Sequence, residues 1–279
     1  MENRVGIVIP AYNTGDPLRE AAQSALSSLG SHRNVVIVDD GSTDKRTKQI
    51  LADLERQGFP VVRLPHKGVG AARNAGLAAM DVPYACGLDS DDIITPNAPS
   101  IAADILDARP EVELVTGSGI EFTSDGVYSD PIPPPDPSRI TMRRGSVIAN
   151  PSMFRLSSFR ACGGYPEGLS VGEDWVLWMR LLKAGGDVAV SDATFLLRRL
   201  HSHQVTRGAM DPRDRARAWN LVISENPDLV LQFPDEVVAD LITLRTQLAA
   251  YQHAYRRTDR AKVTIKRILA RLRAYPSHS

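Results

Sequence analysis

VGIVIPAYNTGDPLREAAQSALSSLGSHRNVVIVDDGSTD, residues 5–44, sets two short β-branched runs on either side of a helical pattern. Val5 to Ile9 reads as a buried strand that Pro10 ends, and NVVIVDD (34–40) reads as a second. Between them, over 17–29, Ala21, Ala25, Leu26 and Leu29 fall on one helical face. The turn DGSTD (40–44) offers Ser42 or Thr43 as the cap of a further helix.

The same alternation continues outward. PVVRLP (60–65) precedes a helix through Ala71 to Met80, and YACGLD (84–89) precedes one from about Pro96 to Leu106. VELVTG (112–117) reads as a fifth strand. Strand, helix, strand at this spacing predicts an α/β fold of βαβ units around a mostly parallel sheet. DPIPPPDP (130–137) is too rigid and too poor in amide donors for sheet or helix. It separates a first half, about 1–125, from a second, about 139–206, which holds PSMFR (151–155), a helix from near Asp174 and DVAVSDATFLLRR (187–199). Residues 207–279 are expected to form a C-terminal helical extension, since the pattern is helical from about Asp211 onward.

A hydrophobic fraction of 43% and a charged fraction of 24% are those of an ordinary globular protein. With 33 Lys and Arg against 33 Asp and Glu, no global field draws nucleic acid, which is excluded as a partner. Cys86 and Cys162 form no CxxC pair and read as buried thiols in a reducing compartment. The apolar run in MENRVGIVIPAYN is too short for a signal peptide, and no stretch approaches the ~20 apolar residues that span a bilayer. A cytoplasmic protein, soluble or peripheral at the inner face of the membrane, is the expectation.

In open α/β sheets, ligands bind at the carboxyl ends of the strands. Here those ends carry Pro10, then Asp39 and Asp40, then Asp89, Asp91 and Asp92. Clustered carboxylates repel one another unless a cation sits among them. DSDD (89–92) suits a divalent ion carrying a diphosphate, since Mg²⁺ or Mn²⁺ takes one or two carboxylates plus phosphate oxygens. Acids there also suit a helix N-terminus for dipole reasons alone. GVGAAR (68–73) puts Arg73 where a dinucleotide fingerprint needs its third small residue, and it follows the third strand, not the first. It reads either as a place where backbone and Arg73 approach a nucleotide or as a tight turn with a surface arginine.

VGIVIPAYN (5–13), VVIVDDGSTD (35–44), GVGAARNAG (68–76), GLDSDD (87–92) and GEDWVLWMRL (172–181) together resemble the family 2 glycosyltransferases of the GT-A fold. The resemblance covers roughly residues 3–206. It implies a metal-dependent enzyme that moves a sugar from a nucleoside-diphosphate donor onto an acceptor hydroxyl with inversion. On it, Pro10, Ala11 and Tyr12 match the segment that cradles the nucleoside. Asp39 matches the acid that pairs with the base; a carboxylate accepts N3–H of uracil or thymine, and guanine also offers a donor. Arg73 matches an arginine that closes over base or phosphate. Asp89 and Asp91 are the outer acids of a DxD motif around Ser90, with Asp91 the direct ligand of Mn²⁺ or Mg²⁺. His201, in RLHSHQVT (199–206), matches a histidine given to metal or diphosphate. Asp174 matches the catalytic base, and its neighbour Glu173 is expected to bind the acceptor or steady the loop. Trp175 offers a ring either to an acceptor sugar or to the core. One departure stands out: His66 and Lys67 occupy a stretch where the family often has Asn.

The partners implied are a nucleotide-sugar and a glycan or lipid-linked acceptor. RRTDRAKVTIKRILARLRAYP (256–276) carries Ile265, Ile268, Leu269 and Leu272 along one face of a basic helix. Such a helix lies on an anionic membrane or packs on protein, including a second subunit of a homodimer. A nucleotidyltransferase would show a glycine-rich basic loop after the first strand, where this chain has PAYNTG. A Rossmann oxidoreductase lacks support from the glycines, and a non-catalytic relative is expected to have lost Asp91 or Asp174.

Overall fold

The computed structural model describes residues 4–200 except 135, 139–147 and 184, and residues 212–250 except 233, 236, 237, 240, 244, 247 and 248. His201 and the 256–276 segment lie outside the described residues. The first compact unit ends at Pro227 and the second begins at Asp228. In the first, the order is β1 (Val5–Ala11), α1 (Pro17–Leu29), β2 (Val35–Asp39), α2 (Lys45–Arg56), β3 (Val61–Arg63), α3 (Val69–Ala78), β4 (Tyr84–Gly87), β5 (Ile93–Ile94), α4 (Ala98–Ala108) and β6 (Val112–Phe122). Then come β7 (Met153–Arg155), α5 (Leu156–Ala161), α6 (Glu173–Leu182), β8 (Asp187–Arg199) and α7 (Pro212–Glu225); α8 (Pro227–Gln232) begins where this unit ends.

The strands form one sheet in the order β3-β2-β1-β4-β7-β6-β8-β5. β1 is parallel to both β2 and β4, and β2 to β3, so four carboxyl ends share one edge. β7 runs against both its neighbours and β5 runs against β8. The sheet is therefore mixed, where the sequence suggested a mostly parallel one; strands of two or three residues carry no periodicity that would encode direction. β1 and β2 are buried at every residue, as expected of strands covered on both faces. Ile7, Ile9 and Ile37 meet α1 and α2 in the main core, while Val8 and Val38 meet α3.

Pro10 does not end β1, which continues through Ala11 in register with Asp39. β4 pairs only as far as Val8. Val8 O faces β4, accepting from Leu88 N at 2.9 Å, and Ala11 O faces β2, accepting from Asp40 N at 2.9 Å. The missing amide of Pro10 thus points to the side where pairing has stopped, and costs no ladder bond. Nor is the proline-rich segment without sheet pairing. Ile132 keeps an amide among prolines and exchanges bonds with Gly119 at 2.7 and 3.0 Å.

α1 begins at Pro17 and stops at Gly30, whose left-handed φ of 67° lets its N–H return to Leu26 O. The cap of α2 is Asp44, whose Oδ1 accepts from Thr47 N at 2.8 Å, and not Ser42 or Thr43. Ser42 is occupied elsewhere, accepting from Asn13 N at 3.1 Å. α7, expected in a separate extension beginning at 207, belongs to the first compact unit. Its Trp219 meets Trp175 edge-on, and its Glu225 holds Arg180 of α6 through two bonds of 2.6 and 2.7 Å.

α3 approaches the sheet closely at Gly76: a Cβ there would lie 2.3 Å from Val8 Cγ2 and 3.0 Å from Val38 Cγ2. Helix propensity alone favours Ala at this position by about 1 kcal/mol. Because stiff, buried valines cannot move aside, Gly76→Ala is expected to lose about 1–3 kcal/mol instead. Chemical denaturation of wild type and variant decides it; a stabilised variant would mean that the helix is free to shift.

Candidate active site

The sheet edge is built first by backbone. Asn13, at a positive φ of 52°, takes Thr43 N and Asp44 N on its Oδ1 at 2.8 and 3.1 Å, tying the end of β1 to the turn after β2. The sequence reading passed over Asn13; its position just past a strand and opposite DGSTD was the available signal. Pro10, Ala11 and Tyr12 lie on that tied segment, and Tyr12 is 45% exposed at its tip. Asp39 is buried and accepts from Ser42 N at 2.9 Å through Oδ1.

Asp40 has a structural task. It is 4% exposed and accepts from Lys67 N at 2.6 Å and Gly68 N at 2.8 Å, pinning the loop ahead of α3. That loop carries His66, at a φ of 49°, whose ring stacks on Tyr12 with centroids 4.1 Å apart. The His66–Lys67 departure thus supplies an aromatic neighbour for Tyr12.

After β4 comes the acid turn. Ser90 Oγ bonds Thr14 Oγ1 at 2.7 Å, joining this turn to the β1 end. Asp91 is half-buried, and its carbonyl accepts from Arg199 Nε at 3.0 Å. Asp92 is buried and accepts from Arg199 N at 2.8 Å. Burial, with Asp89 and Asp91 nearby, pushes the Asp92 carboxyl up to about 8. Among the described residues no group of three His, Cys, Asp or Glu is arranged to hold a metal ion. Asp89 and Asp91 nonetheless offer carboxylate oxygens, the donors a hard dication takes, and their charges add to the effect of burial on Asp92.

Arg73, Asp89 and Glu173 form one cluster. Arg73 is 2% exposed; its Nη2 donates to Asp89 Oδ1 at 2.6 Å and its Nη1 to Glu173 Oε1 at 2.5 Å. The arginine is therefore a buried charge and not a surface one, and Glu173 is bonded to it. The pairing is not legible in sequence because the partners lie 100 residues apart. Gly70 has a packing role as well: a Cβ there would lie 2.3 Å from Pro166 O. The glycine lets protein backbone, not a nucleotide, approach the helix.

Asp174 follows Glu173 in the first turn of α6. It keeps part of its surface in solvent yet is crowded by protein, and Trp175 N donates to its Oδ1 at 2.7 Å. Burial first, then the Glu173 and Asp89 charges, push its carboxyl up to about 7 against the lowering effects of Arg73 and the Trp175 amide. Trp175 itself is 3% exposed and edge-on to Trp219, with centroids 5.6 Å apart. Its ring belongs to the core and offers no face to a sugar. Trp178 is likewise buried, with Nε1 donating to Ile148 O at 3.3 Å.

The family model described as glycosyl transferase family 2 matches residues 6–160. The chain is 24% identical over 231 residues to an uncharacterized glycosyltransferase of Rickettsia felis, covering 79% of this chain and 38% of that one. It is 27% identical over 218 residues to the succinoglycan biosynthesis protein ExoO of Rhizobium meliloti, covering 73% and 62%. The chain thus spans well under two thirds of the Rickettsia relative. Among solved structures it resembles S. aureus TarS 1–349 in complex with UDP-GlcNAc, with a TM-score of 0.65 and 20% identity over 80% of this chain and 66% of that one. That likeness establishes a shared GT-A-like fold.

The charge arrangement makes a titration testable. The Asp174 carboxyl should titrate near about 7, well above the ordinary aspartate value of about 3.9. Glu173→Gln removes a like charge, so the midpoint should move down. Carboxyl ¹³C NMR reads both; an ordinary midpoint, or an upward move in the variant, contradicts the arrangement.

Proposed function

The chain belongs to glycosyl transferase family 2, and on that footing we propose that it transfers a sugar from a nucleoside-diphosphate donor to a hydroxyl of a glycan or lipid-linked acceptor, inverting the anomeric carbon. The observation that carries the reading is the half-buried Asp174 carboxyl, pushed up to about 7 and linked through Glu173 and Arg73 to the acid turn. A base poised near the working pH combines the right protonation state with proton-accepting strength.

In the reaction, the acceptor oxygen attacks the anomeric carbon as the bond from that carbon to the diphosphate oxygen breaks. The acceptor proton passes to Asp174, and the bonding pair leaves with the diphosphate. Tyr12 and Asp39 hold the nucleoside: Tyr12 presents an exposed ring, and Asp39 accepts an imide N–H, which favours uracil or thymine. Asp91 and Asp89, with His201 from outside the described residues, would hold Mn²⁺ or Mg²⁺. That ion neutralises charge on the departing diphosphate when bound.

The donor half is assigned to about 1–125 and the acceptor half to about 139–206, with the enzyme working in the cytoplasm. No helix among the described residues is long and apolar enough to cross a membrane. The basic 256–276 segment is the part that would meet a membrane surface.

Two measurements test this. Thermal shifts with UDP, dTDP, GDP and CDP, each with and without Mn²⁺, should show a metal-dependent gain with UDP or dTDP. At about 100 times Kd the gain is roughly 2.7 kcal/mol, and Asp91→Ala should abolish it. In transfer assays, Asp174→Asn should lose about 10²–10⁴-fold in kcat. A folded protein that responds to none of the nucleotides, or an Asp174→Asn variant with full activity, contradicts the proposal.

A further inference from the structure

A guanidinium cannot shed its charge in a protein, so burying one is tolerated only where fixed acceptors replace water. Arg73 meets that condition at its two Nη atoms, with carboxylates from distant segments, one on the turn after β4 and one at the start of α6, while its Nε is buried without a hydrogen-bond partner. Its plane lies over the ring of Tyr165, 5.2 Å from the centroid. The surroundings are shaped for this arrangement. A Cβ at Gly87 would lie 3.0 Å from Arg73 Nε and 3.2 Å from its Cδ, so the strand end is bare where the side chain passes. Asn74, next on α3, clamps the Tyr165 backbone at both ends: its Nδ2 donates to Tyr165 O and its Oδ1 accepts from Tyr165 N, each at 2.9 Å. Gly70 lets the following Pro166 carbonyl sit against the same helix. The chain leading into α6 is therefore docked on α3 just beside the arginine.

We propose that Arg73 and Glu173 form a clasp that sets the position of Asp174 relative to Asp89, acting as positioning residues and not as ligands of donor or acceptor. The inference rests on Asp174 being the catalytic base. Glu173 and Asp174 are consecutive in the first turn of α6, where successive side chains point about 100° apart. Fixing the Glu173 carboxylate on Arg73 fixes the rotation of that turn, and with it the direction of Asp174. The other nitrogen of the fork fixes the same guanidinium on Asp89. Base and acid turn are thus held to one rigid planar group. Lysine has the charge but not the fork, and cannot hold two carboxylates in set directions.

The two roles separate in kinetics. A donor-binding arginine supports affinity; a positioning arginine supports turnover. The experiment follows UDP or dTDP release, with water as the acceptor, from the sugar nucleotide that wild type turns over fastest in a panel of UDP- and dTDP-sugars. Nucleotide Kd comes from calorimetry. The variants are Arg73→Lys, Glu173→Gln, their double and Glu173→Asp. Because misplacement of a reacting group by about 1 Å costs on the order of 10²-fold, each single variant should lose about 10–100-fold in kcat. Donor KM and nucleotide Kd should stay within about twofold. Since both residues act as one unit, the double variant should be no worse than the poorer single.

Glu173→Asp keeps the charge and shortens the arm by one methylene, and serves if the others fail to fold. A kcat loss with unchanged KM supports the clasp, and an unchanged kcat overturns it. So does a raised KM and Kd with kcat retained in Arg73→Lys, or losses that multiply in the double variant. If wild type turns over no sugar nucleotide at all, the transferase reading falls and takes the clasp with it. An active wild type with any of the contrary variant results removes the clasp alone.

Discussion

Parallel pairing of β1 with β2 and β4 forces like charges together: Asp39 and Asp40 leave one strand end while Asp89, Asp91 and Asp92 leave another. The rest of the site follows from how that crowding is relieved. Asp39 and Asp40 are satisfied by backbone amides of Ser42, Lys67 and Gly68. Asp89 takes a guanidinium that is itself held from the far side by Glu173. Asp92 is pushed toward its neutral form. Each solution also fixes a piece of chain, so relief of charge and placement of loops are the same act. Asp91 and Asp174 stay half-buried at that edge.

Packing supports this arrangement through close approaches. Gly76 lets α3 settle against Val8 and Val38, Gly70 lets Pro166 settle on α3, and Gly87 clears a path for Arg73. The motif GVGAARNAG is thus one docking surface read along a single helix: sheet on one side, the lead into α6 on the other, and the arginine between. Trp175 extends the same logic outward, since its burial against Trp219 ties α6 to α7. α6, which carries Glu173 and Asp174, is thus braced from both flanks.

The fold was legible in sequence where elements carry a strong pattern. β1 and β2 showed as continuous β-branched runs because both faces are covered, and α1 showed over 17–29 because its apolar residues share one face. The two-residue β5, the six-residue α5 and the reversal of β7 carried no such pattern. Pro10 misled because a proline is read as a break, and only the tertiary position of β4 makes its missing amide harmless. In the site, the acids were legible as carboxylates directly after apolar runs. The pairing of Arg73 with Glu173 was not, since it joins helices 100 residues apart. The fate of Trp175 depended on a tryptophan in a helix that the sequence placed in a separate extension.

The proposed single displacement with Asp174 as base is tested most directly by the configuration of the sugar as it first leaves the enzyme. Real-time ¹H NMR of an α-linked UDP-sugar, with water as acceptor, reads the anomeric signal before mutarotation mixes the forms. The account predicts that the β anomer appears first with wild type and that Asp174→Asn does not form it at a comparable rate. An α anomer appearing first, or equal release by the Asp174 variant, would contradict the single displacement and the base assigned to it.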